Sequence, residues 1–98
     1  MSQPVPVITR PAAATVLIVD DEPDIRRLLQ EILEDENYVV LTADGAVAAR
    51  DLYHRQHPDA VLLDIWMPGT DGITLLKEWA QGGLEVPVIM MSGHGTVE

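Results

Sequence analysis

Short apolar runs alternate with amphipathic stretches along most of this chain, and this alternation predicts its elements. Four runs of apolar and β-branched residues predict strands at 15–19, 38–42, 60–63 and 86–91. The stretches between them carry apolar residues at helical spacing and predict helices at 23–36, from Val47 to before Pro58, and from Ile73 to the glycines at 82–83. The order β-α-β-α-β-α-β predicts an α/β fold built on a doubly wound parallel sheet.

Composition limits the function more than the fold. The 98 residues suffice for one domain, and the absence of cysteine excludes disulfides and thiolate chemistry. No apolar run approaches the ~20 residues of a membrane span and the N-terminus has no secretory pattern, so we expect a cytoplasmic protein without membrane contact. Residues 1–14 contain three prolines and are predicted to form a flexible tail. The net charge of -10 argues against direct nucleic acid binding by this segment.

Three acidic residues stand at the ends of predicted strands. Asp20 and Asp21 directly follow the first strand, and Asp64 directly follows the third. The carboxyl ends of parallel strands meet at one edge of a sheet, where ligands bind, so we expect three carboxylates in a small space. Two carboxylates about 5 Å apart repel by roughly 3 kcal/mol at an effective dielectric constant near 20. A hard cation such as Mg²⁺ relieves this repulsion, and the sequence therefore predicts a magnesium site.

Simpler interpretations of the single motifs stay open at this point. An Asp-Asp pair before a helix is also typical of helix capping, and it is the third acid after a buried strand that favours a metal site. The histidines at 54, 57 and 94 show no spacing that unites them, and we predict that they lie on the surface. Trp66 and Trp79 are predicted to be packing residues.

Several motifs in order resemble the receiver domain of bacterial two-component response regulators, a family with the CheY-like, flavodoxin-like fold. The matching segments are Val-Asp-Asp-Glu at 19–22, Leu-Leu-Asp-Ile-Trp-Met-Pro-Gly at 62–69, Asp-Gly at 71–72 and Met-Met-Ser-Gly at 90–93. The resemblance covers residues 15–98, and residues 92–98 are most similar to the N-terminal receivers of NtrC/NtrX-type sigma-54-dependent activators. It implies the strand order 2-1-3-4, followed in the family by a fifth strand that this sequence lacks.

The resemblance also implies roles for individual residues. Asp64 would accept a phosphoryl group from a sensor histidine kinase, with Mg²⁺ as cofactor. Asp21 and Asp64 would bind the metal directly, Asp20 largely through water, and the backbone carbonyl of Trp66 would be a further ligand. Ser92 would be the hydroxyl that hydrogen-bonds the phosphoryl group and switches the conformation that controls an output such as transcription. The domain would then be a phosphoryl acceptor with Mg²⁺-assisted self-phosphorylation and dephosphorylation, not an enzyme.

The family pattern includes a lysine at the end of the fifth strand, and here the sequence departs from it. Lys77 is the only lysine and falls in the predicted third helix. We therefore expect a receiver cut short before strand five, with marginal stability and self-association along the exposed edge of strand four. Two other functions stay open: an interaction module that acts without phosphorylation, and a Mg²⁺-dependent phosphohydrolase of the haloacid dehalogenase type. The second needs another Asp two positions after the nucleophile, where this chain has Trp66.

Overall fold

A computed structural model describes residues 13–65, 67, 72–83 and 85–91 of the chain. Its elements are β1 (Thr15–Val19), α1 (Pro23–Asp35), β2 (Val39–Ala43), α2 (Ala46–Gln56), β3 (Ala60–Asp64), α3 (Gly72–Gln81) and β4 (Val88–Met91). All four predicted strands and all three predicted helices are confirmed. Their ends differ from the predicted ends by at most two residues: β2 begins and ends one residue later, β3 includes Asp64, and β4 begins at Val88 rather than at residue 86.

The four strands form one parallel sheet in the order β2-β1-β3-β4. The predicted parallel sheet and its strand order are therefore confirmed. β1 is central, and Leu17 pairs with Leu41 on one side and with Val61 on the other. A strand that lies between two others and beneath helices has no solvated face, which explains why β1 is an unbroken apolar run.

Most of the core lies on the side of the sheet that α2 and α3 cover. Alternate strand residues point to opposite faces, and Leu17, Val19 and Leu63 join one buried cluster with Leu75 and Trp79 of α3. The ring of Trp79 stacks on the ring of Tyr53 of α2, with centroids 4.5 Å apart. At the surface Arg50 donates two hydrogen bonds to the carboxylate of Glu78, at 2.6 and 2.9 Å, and so links the same two helices. Trp79 is a packing residue, as predicted.

The other side of the sheet is less well covered. Helix α1 has the predicted apolar stripe, but none of its residues is buried, and Leu28 and Ile32 are 53% and 49% exposed. The sheet shows the same trend along the row of paired residues Ile18, Leu62 and Ile89, which are buried, half-buried and 55% exposed in turn. A single helix lying near β1 and β2 covers that end of the face, and no other described element packs beside it.

Several predictions concern residues outside the described part of the chain. These are the tail as far as residue 12, Trp66, the turn at 68–71, and the segment from Ser92 to residue 98. Within the described part, the carbonyl of Ala14 accepts a hydrogen bond of 2.9 Å from the amide of Val39. Backbone contact with the sheet therefore begins at a residue that the sequence assigned to the tail.

Candidate functional site

The three predicted acids converge at the carboxyl edge of the sheet. β1 and β3 are hydrogen-bonded neighbours, and Val19 pairs with Leu63, so Asp20 and Asp64 are level with each other at the ends of the two strands. Asp20, Asp21 and Asp64 each offer an oxygen, and these three oxygens all lie within 4.8 Å of one another. The predicted closeness of the carboxylates is confirmed, and it follows from strand pairing rather than from sequence proximity.

Hydrogen bonds hold Asp20 on three sides. Its amide donates to the carbonyl of Ala43 at 3.1 Å, its Oδ1 accepts from the amide of Glu22 at 2.9 Å, and its carbonyl accepts from Nη1 of Arg26 at 2.8 Å. The Glu22 contact is an Asx-type turn, a local bond that aspartate forms with the amide two residues later. Helix α1 itself begins at Pro23 without a side-chain cap. Asp20 therefore shapes the turn before the helix while its carboxylate stays in the acidic cluster.

Burial makes the cluster electrostatically costly. Asp20 is 3% exposed and Asp64 1% exposed. Burial raises the pKa of Asp20 above its usual value, the hydrogen bond from the Glu22 amide opposes that rise, and the negative charges of Asp64, Asp21 and Glu22 add to it. Loss of water and repulsion between like charges both disfavour the ionised form. A cation among the three carboxylates would reverse both effects.

The donor atoms suit a hard divalent cation. All three are carboxylate oxygens, which Mg²⁺ prefers over nitrogen and sulfur. In addition, Oδ1 of Asp21 is buried and accepts no hydrogen bond from any described residue. A buried carboxylate oxygen without a donor is unfavourable, and coordination of a metal ion satisfies it. The residues present therefore fit Mg²⁺, and the buried Oδ1 of Asp21 is the observation that supports this fit most directly.

Gly72 is a site residue to which the sequence assigned no role. It is the first residue of α3, and a Cβ atom built on it would overlap the carbonyl oxygen of Asp64 and lie 2.8 Å from Cα of Ile65. Only glycine permits this approach between the start of a helix and the end of β3. The sequence showed only a glycine directly before the helical pattern. Position 72 requires glycine because of its contact with Asp64, eight positions earlier.

The end of β4 is level with the end of β3. Met91 pairs with Asp64, and its carbonyl accepts a hydrogen bond of 3.1 Å from the amide of Ile65. Ser92 is the next residue in sequence but lies outside the described residues, as does Trp66. Lys77 is exposed on α3, which confirms its predicted position in a helix.

The described histidines lie at the other end of the domain. His54 and His57 are exposed, as predicted, but they share one cleft of about 290 Å³, which Tyr53, Glu78 and Trp79 also line. The cleft lies between the last turns of α2 and α3, at the edge where the parallel strands begin. Among the described residues the acidic triad is the only group of three or more potential metal ligands close enough to share an ion. The described residues that line the cleft therefore do not form such a group.

Comparison with known proteins gives the family. The model of the response regulator receiver domain matches residues 16–98. The chain belongs to this family. Receiver domains are regulatory modules of two-component systems, and the positions that led to the resemblance in the sequence, at the ends of β1, β3 and β4, all fall within the match.

Its relatives include several transcriptional regulators. The chain is 47% identical over 88 residues to the nitrogen assimilation regulatory protein NtrX of Azorhizobium caulinodans, an alignment with 88% of this chain and 19% of the relative. It is 39% identical over 83 residues to sporulation initiation phosphotransferase F of Bacillus subtilis, with 85% and 67% of the two chains aligned. The chain thus spans about a fifth of the length of the first of these relatives.

Solved structures agree with this assignment. The crystal structure of NtrX from Brucella abortus matches with a TM-score of 0.78 and 46% identity, over 85% of this chain and 19% of that one. The chemotaxis protein CheY4 of Vibrio cholerae matches with a TM-score of 0.79 and 29% identity, over 87% of this chain and 72% of that one. In the part of the chain that the structure describes, no helix has the length and apolar character needed to cross a bilayer.

Proposed function

We propose that this chain is the phosphoacceptor domain of a two-component response regulator and that Asp64 accepts the phosphoryl group from a sensor histidine kinase. The observation that supports this most directly is the convergence of three carboxylate oxygens within 4.8 Å at the carboxyl edge of the sheet. Asp64 belongs to a strand, and its position is fixed by pairing with Met91, whereas Asp20 and Asp21 belong to the loop after β1. A nucleophile on a rigid strand and metal ligands on the facing loop is an arrangement suited to phosphoryl transfer.

The transfer forms one bond and breaks one. A carboxylate oxygen of Asp64 attacks the phosphorus of a phosphohistidine, the P–N bond breaks, and the electron pair stays on the imidazole nitrogen, which takes up a proton. The product is an acyl phosphate on Asp64. Asp64 is 1% exposed, so little of the residue faces solvent in the described structure.

In this proposal Mg²⁺ is bound by the carboxylates of Asp21 and Asp64 and by the backbone carbonyl of Trp66, with Asp20 acting largely through water. When bound, it supplies positive charge that offsets the charge of the carboxylates and of the phosphoryl oxygens. Asp20 orients the loop that carries Asp21 through its bonds to Ala43, Glu22 and Arg26. The described structure supports this proposal with three carboxylate oxygens that lie within 4.8 Å of one another.

In the proposed switch, phosphorylation reaches the output through Ser92. Ser92, directly after β4, would donate a hydrogen bond to the new phosphoryl group and so pull on the segment that follows the strand. Relatives of this chain are named as transcriptional regulators. We propose transcription as the regulated output and the cytoplasm, where such regulators meet DNA, as the location.

A matched pair of variants tests the phosphoacceptor. The chain is incubated with acetyl phosphate and Mg²⁺, and intact mass is measured. We expect a gain of one phosphoryl group in the wild type and none in Asp64→Asn. Asp44→Asn is the control, since Asp44 also follows a parallel strand at this edge of the sheet but is exposed and lies outside the triad. A mass gain that persists in Asp64→Asn would refute the assignment.

An interaction module that needs no phosphoryl group is the second candidate. The observation in its favour is exposed apolar surface, which includes Ile89 at 55% and Leu28 at 53%. Beryllium trifluoride, which stands in for the phosphoryl group, separates the two functions. Binding that requires both Mg²⁺ and Asp64 supports the phosphoacceptor, and binding of a protein partner that is unchanged in Asp64→Asn supports the module.

A further inference from the structure

The guanidinium of Arg26 reaches back from the first turn of α1 to the loop that carries Asp20 and Asp21. Its Nη1 donates a hydrogen bond of 2.8 Å to the backbone carbonyl of Asp20. Arg26 is half-buried, and its own amide donates to the carbonyl of Glu22 at 3.0 Å, so both its backbone and its side chain hold the turn between β1 and α1. The neighbouring Arg27 is exposed.

The carbonyl that Arg26 binds belongs to the peptide group between Asp20 and Asp21. A peptide group is planar, so a bond that fixes its carbonyl also fixes the direction in which the next residue leaves. The orientation of Asp21 relative to Asp20 therefore depends on Arg26. We propose that Arg26 is a positioning residue that sets the geometry of the metal-binding carboxylates through this peptide, an inference that rests on the proposed Mg²⁺ site.

A geometric role differs from a simple effect of charge. The guanidinium points its donor at a carbonyl rather than at a carboxylate. Its planar, fixed donors suit it to hold a backbone group in one orientation, which a lysine ammonium on a flexible stem does less well.

The experiment measures Mg²⁺ and Ca²⁺ affinities of the 98-residue chain by titration calorimetry. We expect Arg26→Met to bind Mg²⁺ roughly 10-fold more weakly, the usual effect of losing an outer-shell partner. Arg27→Met removes the same charge from the adjacent position and should keep the wild-type affinity. Arg26→Lys keeps the charge but not the planar donors, and should resemble Arg26→Met. Wild-type affinity in Arg26→Lys would show that charge, not geometry, is what matters, and would overturn the proposal.

The two ions supply a readout that a general loss of stability would not change. Mg²⁺ demands near-ideal octahedral ligands, whereas Ca²⁺ tolerates flexible coordination. We expect Arg26→Met to lose Mg²⁺ affinity more than Ca²⁺ affinity, and an equal loss for both ions would overturn the positioning role. If the wild type itself binds no Mg²⁺, the proposed metal site fails and this inference fails with it. If the wild type binds and Arg26→Met matches Arg27→Met, only the inference fails.

Discussion

Gly72 and Asp64 approach so closely that position 72 has no room for a side chain. A Cβ there would overlap the carbonyl oxygen of Asp64, and the first turn of α3 therefore rests directly on the backbone of the proposed phosphoacceptor. Both groups in the contact are backbone, so neither can move aside by changing a rotamer. The position of α3 and the position of Asp64 are consequently linked.

We expect Gly72→Ala to destabilise the chain and to displace Asp64. Overpacking a tight site costs about 1–3 kcal/mol, and a clash with backbone belongs at the upper end of that range. Chemical denaturation gives the stability, and Mg²⁺ titration reports the displacement as weaker binding. Gly82→Ala is the control, because a Cβ at position 82 meets only ordinary contacts at 3.5 Å or more. Equal stability and affinity in the two variants would show that α3 is free to shift.

Removing one charge from the triad should stabilise the metal-free protein. With Mg²⁺ removed by a chelator, we expect Asp20→Asn to raise the free energy of unfolding by about 1–3 kcal/mol, because it removes repulsion from a buried cluster. An asparagine can still accept the hydrogen bond from the amide of Glu22. Thermal unfolding should also show that Mg²⁺ stabilises the wild type more than the variant. An Asp20→Asn protein less stable than the wild type in chelator would contradict this expectation.

The same comparison has a defined pH dependence. The pKa of Asp20 is raised in the folded chain, so the folded state holds this proton more tightly than the unfolded state does. The wild type therefore loses stability as pH rises through the folded pKa, and regains it below the ordinary value of 3.8. The advantage of Asp20→Asn should be complete at neutral pH and should vanish in acid. Asp44→Asn, which removes an exposed carboxylate outside the triad, is the control variant.

The two faces of the sheet should differ in their contribution to stability. Leu75 of α3 is fully buried, and we expect Leu75→Ala to lower the free energy of unfolding by about 2–5 kcal/mol. Leu28 of α1 is 53% exposed, and Leu28→Ala should cost under about 1 kcal/mol because little area is lost and alanine is a strong helix former. Urea denaturation of both variants compares them directly. Equal losses would mean that the face under α1 is as well packed as the face under α2 and α3.

The edge of β4 should promote self-association. Among the described residues β4 pairs only with β3, and Ile89 and Met90 are 55% and 38% exposed. An apolar edge with unpaired backbone groups can pair with another strand, and a lysine blocks it. We expect sedimentation to show concentration-dependent association in the wild type that Ile89→Lys reduces. Val47→Lys is the matched control, since Val47 is 80% exposed on α2. Monomers at all concentrations for all three proteins would refute the idea.

The sequence by itself determined the elements, their order and the three acids. Strands that are buried on both faces must be apolar throughout, so 15–19 and 60–63 stand out without any knowledge of their neighbours. Because parallel strands end at one edge, the acids that follow them are brought together by topology alone. The local patterns of the chain thus contain both the sheet and its acidic site.

Contacts between separate elements of the fold were decided only by the tertiary structure. The bond from Arg26 to the carbonyl of Asp20 depends on the angle at which α1 leaves the sheet, and the tightness at Gly72 depends on where β3 ends. The amphipathic stripe of α1 correctly predicted a helix but not its exposure, because a pattern shows which residues can be buried and not whether another element is there to bury them. Periodicity is a property of one segment, whereas burial and orientation belong to pairs of segments.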